Sequence, residues 1–557
     1  MEKDAAGSSL ERKNSDISRT SPAAYPTGKW WCPGKGTPFP GHHRRAGRAG
    51  NGDRHEWHEE FFNLIPQNGI GRCRPPWDKD RCLPDPNSVP TRRPTVPQTT
   101  RRWISEQVKS LRASEVLPFH EHLDLGMVND ALAAEGVTFH ERIYTPLVTL
   151  CMFLSQVIDP DHSCRASVAR LIVWLAVNRR KPCAPDTSSY CQARQRLPEG
   201  VIVRLVHQTA RRTEARVSDA WLWHGRSVTL VDGTTVSMPD TPANQKEYPQ
   251  SSTQKVGLGF PIARLVALIS LASGVVRDLA LGPYQGKETG ETALFRTLWD
   301  RLEPGEIVLG DRFFCTFFGI AGLSRRGVDV LFRMHQRRKF DFRKGRCLGL
   351  EDHVVSWTKP ERPDWMDQET YARIPDALTV RELRVTVEQP GFRVNELVLV
   401  TTMLEAEAYT KKDIAGLFLE RWNIELDFRS IKVALQMDVL RCQTPEMVRK
   451  EIWMHLLAYN LIRGVMAEAA EAHGKKPRHL SFKGAMQTMT AFQDALRWAR
   501  PTDRIRLVRE MLEAIASHVV GDRFGRSEPR ANKRRPKQQR YLMTPRGQAR
   551  KALLATA

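Results

Sequence analysis

Residues 227–238 read "SVTLVDGTTVSM" and are predicted to form the first β-strand of the chain. Its valine, leucine and threonine residues favour an extended strand over a helix. Asp232 follows the apolar run "VTLV" directly and precedes Gly233, so a carboxylate stands where the strand is expected to end. An Asp-Gly pair after a strand most often makes a turn. Taken alone, Asp232 is therefore either a turn residue or part of a functional site.

Strands and helices continue after this first strand as far as residue 335. Four more strands are predicted, at 263–271, 275–284, 306–311 and 329–335, and two helices, at 291–302 and 318–327. Three strands followed by a helix, a strand, a helix and a strand describe a mixed sheet covered by helices, which is an α/β fold. This is the order of elements in the ribonuclease-H-like fold.

The second aspartate of interest follows the fourth predicted strand. Asp311 comes directly after "EIVLG", where an Asp often caps the next helix, so it too is ambiguous alone. In this strand order the first and fourth strands are neighbours. We therefore expect Asp232 and Asp311 to meet at one end of the sheet.

A helix further along the chain supplies a third acid. Residues 418–438, "FLERWNIELDFRSIKVALQMD", contain no Gly or Pro and are predicted to form one helix. At about 100° per residue, one stripe of this helix carries Phe418, Arg421, Glu425, Arg429 and Lys432. Apolar residues on both flanks of the stripe are expected to be buried, and the opposite face, with Glu420, Asn423, Asp427 and Ser430, to be solvated. The alternative is an ordinary solvated face with an Arg421–Glu425 pair.

The three acids together indicate a metal site. Converging carboxylates of Asp232, Asp311 and Glu425 would repel one another unless cations neutralise them. Hard oxygen ligands suit Mg²⁺ or Mn²⁺, and two such ions can clamp the attacking and leaving oxygens of a phosphoryl transfer. Arg421 and Lys432 would then bind phosphates of the strand being cut.

Composition points to nucleic acid as the partner. The 557 residues carry a net charge of +22 with a pI near 9.8, which favours a polyanion. A membrane surface is the competing partner, but no stretch approaches about 18 uninterrupted apolar residues, and the N-terminus lacks a secretory signal. We therefore expect a cytoplasmic, nucleoid-associated protein. The ten cysteines contain no C-x-x-C pair, so a zinc site or disulfide framework is not expected.

Composition also divides the chain into regions. The predicted regions are a disordered or poorly packed extension (1–98), a helical DNA-binding domain (99–222), a catalytic domain (223–470) with a β-rich insertion (336–395), a C-terminal helical region (471–521) and a basic tail (522–557). Within the helical domain, a short helix beginning near Asp186 or Thr187 would present Gln192, Arg194, Gln195 and Arg196 to DNA. A packed helical bundle without DNA contacts is the alternative.

The combined pattern resembles a known family. Asp232 in "LVDGTTVSMPD", Asp311 in "LGDRFF" and the helix with Glu425 are similar to the bacterial DDE transposases of the "insertion sequence four" family. That family's signature is tyrosine, two residues, arginine, three residues, glutamate, six residues, lysine. The spacing of 418, 421, 425 and 432 matches it at every interval, but Phe418 replaces the tyrosine and lacks its hydroxyl. The resemblance runs from about residue 100 to the C-terminus.

This resemblance implies movement of an insertion sequence by cut-and-paste. Asp232, Asp311 and Glu425 would be catalytic metal ligands for two Mg²⁺ or Mn²⁺ ions, and the implied DNA contacts are Arg421, Lys432, Arg429, Phe418 and Arg312. The implied partners are double-stranded DNA with terminal inverted repeats, a target DNA and a second copy of the chain. Trp357 and Trp365 are candidate platforms for a flipped base, with a core or surface tryptophan as the alternative. A catalytically silent DNA-binding regulator and a nuclease without strand transfer are the alternative functions.

Overall fold

The computed structural model describes residues 122–139, 142–386, 396–520 and 544–556. The predictions for residues 1–98 and for most of the basic tail lie outside these ranges. Within them, no helix combines the length and the apolar character that crossing a membrane requires. The predicted division into domains stays a prediction.

The described strands form a single mixed sheet of nine strands in the order β3-β2-β1-β4-β5-β9-β8-β7-β6. They are β1 (Val228–Ser237), β2 (Ile262–Ser270), β3 (Val276–Pro283), β4 (Ile307–Gly310), β5 (Asp329–Arg333), β6 (Arg346–Gly349), β7 (Asp352–Thr358), β8 (Ala377–Thr386) and β9 (Glu396–Thr401). The first three strands are antiparallel, and β4 and β5 run parallel to β1. The predicted ribonuclease-H-like α/β fold is confirmed.

The first strand continues beyond the point where the sequence indicates its end. Asp232 pairs with Ala267 and Gly233 with Val266, and the pairing with β2 runs on to Ser237. The Asp-Gly pair therefore lies inside a strand, and the alternative that Asp232 makes a turn is wrong. The strand continues because β2 supplies backbone partners along its whole length.

The segment between β5 and β9 extends the sheet. β6, β7 and β8 pair antiparallel, and β9 returns to pair with β5. Trp357 in this segment is buried, and its indole N–H donates to Glu382 at 2.7 Å. Of the two interpretations of Trp357, the core tryptophan is therefore confirmed, and the ring is not open to stack on a DNA base. Trp365 is partly exposed, with the Arg296 guanidinium 3.8 Å from its ring centre.

Helices cover both faces of the sheet. Those before β1 are α1 (Leu125–Ala134), α2 (Pro146–Ile158), α3 (Cys164–Val177), α4 (Ser188–Arg196) and α5 (Glu199–Glu214). Those between the strands are α6 (Pro242–Glu247), α7 (Glu291–Arg296), α8 (Phe317–Ser324) and α9 (Gln368–Ala372), and those after β9 are α10 (Lys411–Leu419), α11 (Asn423–Arg429), α12 (Pro445–Ala472), α13 (Phe482–Trp498), α14 (Pro501–Ser517) and α15 (Arg546–Thr556). Helix α12 is buried along most of its 28 residues, as expected for a helix enclosed by other elements.

The predicted helix 418–438 is helical but not uniform. The helical backbone begins at Lys411, tightens into a 3₁₀ turn at Glu420–Trp422, and widens into a π turn at Ser430–Ala434, where it ends. The flank with Leu417, Ile424, Phe428, Ile431 and Leu435 is buried, as predicted. The prediction that the other flank is buried is wrong, because Leu419, Trp422, Leu426 and Val433 face outward.

Asp427 also departs from its predicted place on the solvated face. Its side chain is 0% exposed, and its carboxylate accepts hydrogen bonds from Tyr459 at 2.9 Å, Arg463 at 2.6 Å and Arg478 at 2.7 Å. Arg478 also donates to the carbonyl of Ser270 at the end of β2. A buried carboxylate is stable only when it is paired, and these bonds fasten α11 to α12 and to the sheet.

The change Asp427→Asn should lower the free energy of unfolding by roughly 3 kcal/mol or more, because two buried guanidiniums lose their counter-charge. Urea unfolding followed by circular dichroism measures this change. Asp438→Asn is the matched control, since Asp438 is exposed in the same segment and should change stability by less than about 0.5 kcal/mol. Equal midpoints for the two variants would contradict the structural role of Asp427.

Candidate active site

The two predicted aspartates lie in one row across neighbouring parallel strands. Val231 on β1 is in register with Gly310 on β4, which is in register with Phe332 on β5. The residues that follow Val231, Gly310 and Phe332 are Asp232, Asp311 and Arg333, respectively. Residues in register on neighbouring parallel strands share a face of the sheet. The structure therefore brings the two acids side by side at the carboxyl end of β4.

The third predicted acid approaches this row from α11. One terminal nitrogen of Arg421 lies 3.4 Å from Oδ2 of Asp232, and the other lies 3.0 Å from Oε1 of Glu425. A single guanidinium thus separates the two carboxylates. Arg421 and Asp232 are each 19% exposed in their side chains, so the charges meet in a partly desolvated cleft where they interact more strongly than in water.

Local hydrogen bonds and burial tune the two aspartates. Oδ1 of Asp232 accepts from the amide of Gly233 at 2.7 Å, and Oδ1 of Asp311 accepts from the amide of Phe313 at 2.7 Å. Burial raises the pKa of Asp232 to about 6; the Gly233 amide and Arg421 oppose the rise, and the Asp311 carboxylate adds to it. A nearby cation therefore stabilises the charged form of Asp232.

A fourth carboxylate, Glu291 at the start of α7, lies against the same stretch of β1. A side-chain carbon at Gly233 would come within 2.4 Å of the Glu291 carboxyl carbon, so the glycine makes room for this acid. Burial raises the pKa of Glu291, and the charge of Asp311 raises it further. Glu291 could not be predicted from the sequence, because Gly233 indicates only that another group approaches β1 closely and does not identify that group.

Lys432 and Arg429 occupy different environments on the same helical segment. The Lys432 ammonium donates to the carbonyl of Thr235 at 2.8 Å and to the hydroxyl of Thr234 at 3.3 Å. It therefore ties the π turn to β1, three residues beyond Asp232. Arg429 is exposed and makes no hydrogen bond or ion pair with the residues that the structure describes.

The two remaining predicted DNA contacts differ in accessibility. Phe418 is only 7% exposed and packs in the main core. The prediction that Phe418 touches DNA does not fit this placement, because the ring faces inward. Arg312 is half-buried and donates to the side-chain oxygen of Gln336 at 2.9 Å, beside Asp311.

The predicted DNA-reading helix, α4, presents only part of its predicted surface. Arg194 is buried, with its guanidinium 3.2 Å from Sγ of Cys164 and 5.0 Å from the Phe153 ring centre. The prediction that Arg194 reaches DNA is therefore wrong. Gln192 and Arg196 instead line a cavity of about 1010 Å³, together with Arg142, Arg179, Arg180 and Lys181. DNA binding by this region stays a prediction.

The carboxylates suit a hard divalent cation, although their present arrangement does not enclose one. Across the described part of the chain, no three Asp, Glu, His or Cys side chains are close enough to hold one ion. The donors of the cleft are carboxylate oxygens, which Mg²⁺ and Mn²⁺ prefer. A positive group, Arg421, already lies between Asp232 and Glu425. An ion shared by the three predicted acids therefore requires Arg421 to move aside.

Known proteins that are similar to this chain are transposases. Residues 223–461 match the family model described as "Transposase DDE domain". The chain is 27% identical over 424 residues to the transposase InsG for insertion sequence element IS4 of Escherichia coli strain K12, covering 75% of this chain and 91% of InsG. It is 30% identical over 217 residues to InsZ, a candidate transposase of the same strain, covering 34% of this chain and 68% of InsZ.

A solved structure is also similar. The piggyBac transposase in a synaptic complex with hairpin DNA aligns over 75% of this chain and 88% of its own, at 9% identity and a TM-score of 0.37. A TM-score that low adds nothing to the fold assignment.

The fold and the family match define a DDE transposase, an enzyme that cleaves and transfers DNA strands. The chain belongs to the bacterial transposases of the IS4 family. The resemblance inferred from the signature helix is confirmed. Transposases of the DDE family act on DNA and use divalent metal ions.

Without divalent ions, Asp232→Asn should stabilise the protein increasingly as the pH rises. The folded-state pKa of Asp232 is about 6, above its usual value of about 3.9, so its contribution is present below pH 4 and is lost as the pH rises through 6. The stability difference between variant and wild type should widen by about 1 kcal/mol between about pH 5 and pH 8, as measured by urea unfolding. For Asp438→Asn we expect no such change with pH. A pH-independent difference for Asp232→Asn would contradict the burial of an ionisable Asp232.

Proposed function

We propose that this transposase moves an insertion sequence by cut-and-paste, cutting double-stranded DNA at terminal inverted repeats and joining the freed ends to a target. The observation that carries the proposal is the cleft in which Arg421 spans Asp232 and Glu425 beside Asp311. A net charge of +22 supports a polyanionic substrate.

Asp232, Asp311 and Glu425 would hold the divalent ions, two Mg²⁺ or Mn²⁺. When bound, such ions stabilise the attacking and leaving oxygens of an in-line displacement. In cleavage, a water oxygen bonds to phosphorus while the bond from phosphorus to the 3′ oxygen breaks, which leaves a 3′ hydroxyl. In joining, that hydroxyl attacks a target phosphodiester. Each step exchanges one phosphorus–oxygen bond for another, so no external energy source is needed.

Arg421 would bind two kinds of group, the carboxylates in the free protein and a phosphate in the DNA complex. In the free protein its guanidinium forms ion pairs with Asp232 and Glu425. A guanidinium binds phosphate with the same paired geometry that it uses for carboxylate. We infer that Arg421 turns to a backbone phosphate when metal ions take over the acids. Lys432 would hold the π turn against β1 and reach a phosphate only by exchanging its bond to the Thr235 carbonyl.

Two further features stay predictions. Holding two element ends at once would require a homodimer on DNA, with one cleft acting at each end. A cytoplasmic, nucleoid-associated location would follow from the affinity of a basic chain for DNA.

Asp232→Asn, Asp311→Asn and Glu425→Gln should each reduce strand cleavage by more than ~1000-fold, because losing a metal ligand removes several kcal/mol of transition-state stabilisation. DNA affinity should stay within about twofold of wild type, since removing a carboxylate removes no phosphate contact. The measurement is gel-based cleavage and joining of a plasmid that carries the inverted repeats bordering the gene. Glu420→Gln is the matched control, because Glu420 is exposed on the same helical segment.

The plasmid assay separates the candidate functions. Cleavage followed by joining supports transposition, cleavage alone supports a nuclease, and binding alone supports a silent regulator. A wild-type rate in any of the three acid variants would remove that residue from the site.

Arg421→Ala should weaken both cleavage and DNA binding by about tenfold, the loss expected for one charge-assisted phosphate contact. Divalent ions should raise the melting temperature of this variant more than that of wild type, because no guanidinium then competes for the acids. Lys432→Ala should also weaken cleavage and binding. Lys412→Ala is the control, since Lys412 is exposed in α10. Unchanged DNA affinity in Arg421→Ala would contradict the proposed phosphate contact.

A further inference from the structure

Arg333 continues the row of acids onto the next strand. The register that places Asp311 beside Asp232 also places Arg333, the last residue of β5, beside Asp311. Neighbouring strands lie about 4.8 Å apart. Arg333 therefore flanks Asp311 on the side away from Asp232, within reach of any phosphate chain that enters the cleft.

A cavity opens at this end of β5. It has a volume of about 260 Å³ and lies between the ends of β5 and β9 and the segment 334–340. Its charged lining consists of Arg312, Arg333, Arg338, Arg384 and Glu396. Four guanidiniums thus face one carboxylate.

The single carboxylate is already engaged. Arg384 lies 2.9 Å from Glu351 and 3.6 Å from Glu396, so these two acids compensate Arg384. The other three arginines of the cavity have no acidic partner within 4.0 Å among the described residues. The cavity therefore carries an excess of positive charge.

Two of these three arginines are held in place by neutral groups. Arg312 donates to the amide oxygen of Gln336 at 2.9 Å, and the Arg338 guanidinium lies 3.6 Å from the ring centre of Trp357. The side chain of Arg333 makes no hydrogen bond or ion pair with the described residues. Burial lowers the pKa of Arg333, the nearby charges of Arg312 and Arg421 lower it further, and the Asp311 carboxylate opposes this effect. Such a cluster of like charges is stabilised by an anion.

We propose that Arg312, Arg333 and Arg338 form a phosphate pocket, which binds a backbone phosphodiester of DNA next to the one that is cut. The inference rests on the proposed function and adds a subsite to it. Guanidiniums bind phosphate oxygens through paired hydrogen bonds. The cavity volume of about 260 Å³ leaves room for a phosphate group.

The bound phosphodiester could belong to the element end or to the target DNA. Two probes distinguish these two sources. One probe is a labelled duplex with the inverted repeat that borders the gene, and the other is a labelled duplex of random sequence. For Arg333→Gln, affinity for one of these duplexes should fall about tenfold. The slope of log affinity against log salt should become shallower by about 0.9, the value for one lost phosphate contact.

Two further variants make the test specific. Arg325→Gln removes the same charge from an exposed position before β5 and should leave affinity and slope unchanged. Arg333→Lys keeps a point charge and loses the paired geometry, so its salt slope should match wild type while its affinity falls. Thermal melting of each full-length variant confirms folding.

Each outcome decides the inference. A loss confined to the inverted-repeat duplex places the element end in the phosphate pocket, and a loss confined to the random duplex places the target there. Wild-type affinity and slope for both duplexes, or an equal loss in Arg325→Gln, would overturn the inference. The proposed function is judged separately by the acid variants, so the pocket can fail while the transposase chemistry stands.

Discussion

The buried charge of Asp427 sets the orientation of the helix that carries Glu425. A carboxylate with 0% exposure requires full compensation, and Arg463 and Arg478 supply it from α12 and from the turn that follows. Two residues along a helix correspond to a rotation of about 200°. Fixing Asp427 against α12 therefore turns Glu425 to the other side of the helix, toward the acids of the sheet. The position of Glu425 therefore follows from the ion pairs that Asp427 forms on the opposite side of the helix.

The cleft itself is organised by alternating charge. Asp232 on β1, Asp311 directly after β4 and Arg333 on β5 form one row, and Arg421 contacts Asp232 from the neighbouring helical segment. In a partly desolvated site, each acid without a counter-charge would raise the free energy of the folded state. Arg421 compensates Asp232 and Glu425 in the free protein. The same guanidinium becomes available for phosphate only when another cation replaces it.

Much of this arrangement could be predicted from the sequence because it depends on local pattern. The strands follow from apolar runs, and the meeting of Asp232 and Asp311 follows from strand order alone. The buried state of Asp427 and Arg194 could not be predicted, because their partners come from distant segments. Glu291 and Arg333 were not predicted, because neither belongs to the signature spacing and each meets the aspartates only through the fold. The outward flank was misjudged because helical spacing shows which residues share a face, not what covers it.

The π turn lies where the signature lysine, Lys432, contacts β1. A uniform helix would keep Lys432 in line with Glu425, but the wider turn at Ser430–Ala434 changes its direction. Its ammonium meets the carbonyl of Thr235 on β1. The helical segment thus contacts β1 through two cations, Arg421 at Asp232 and Lys432 at Thr235. One contact is to a backbone carbonyl and keeps the spacing of helix and strand. The other is to the Asp232 carboxylate, so under the proposed function metal ions would replace Arg421 there without separating the two elements.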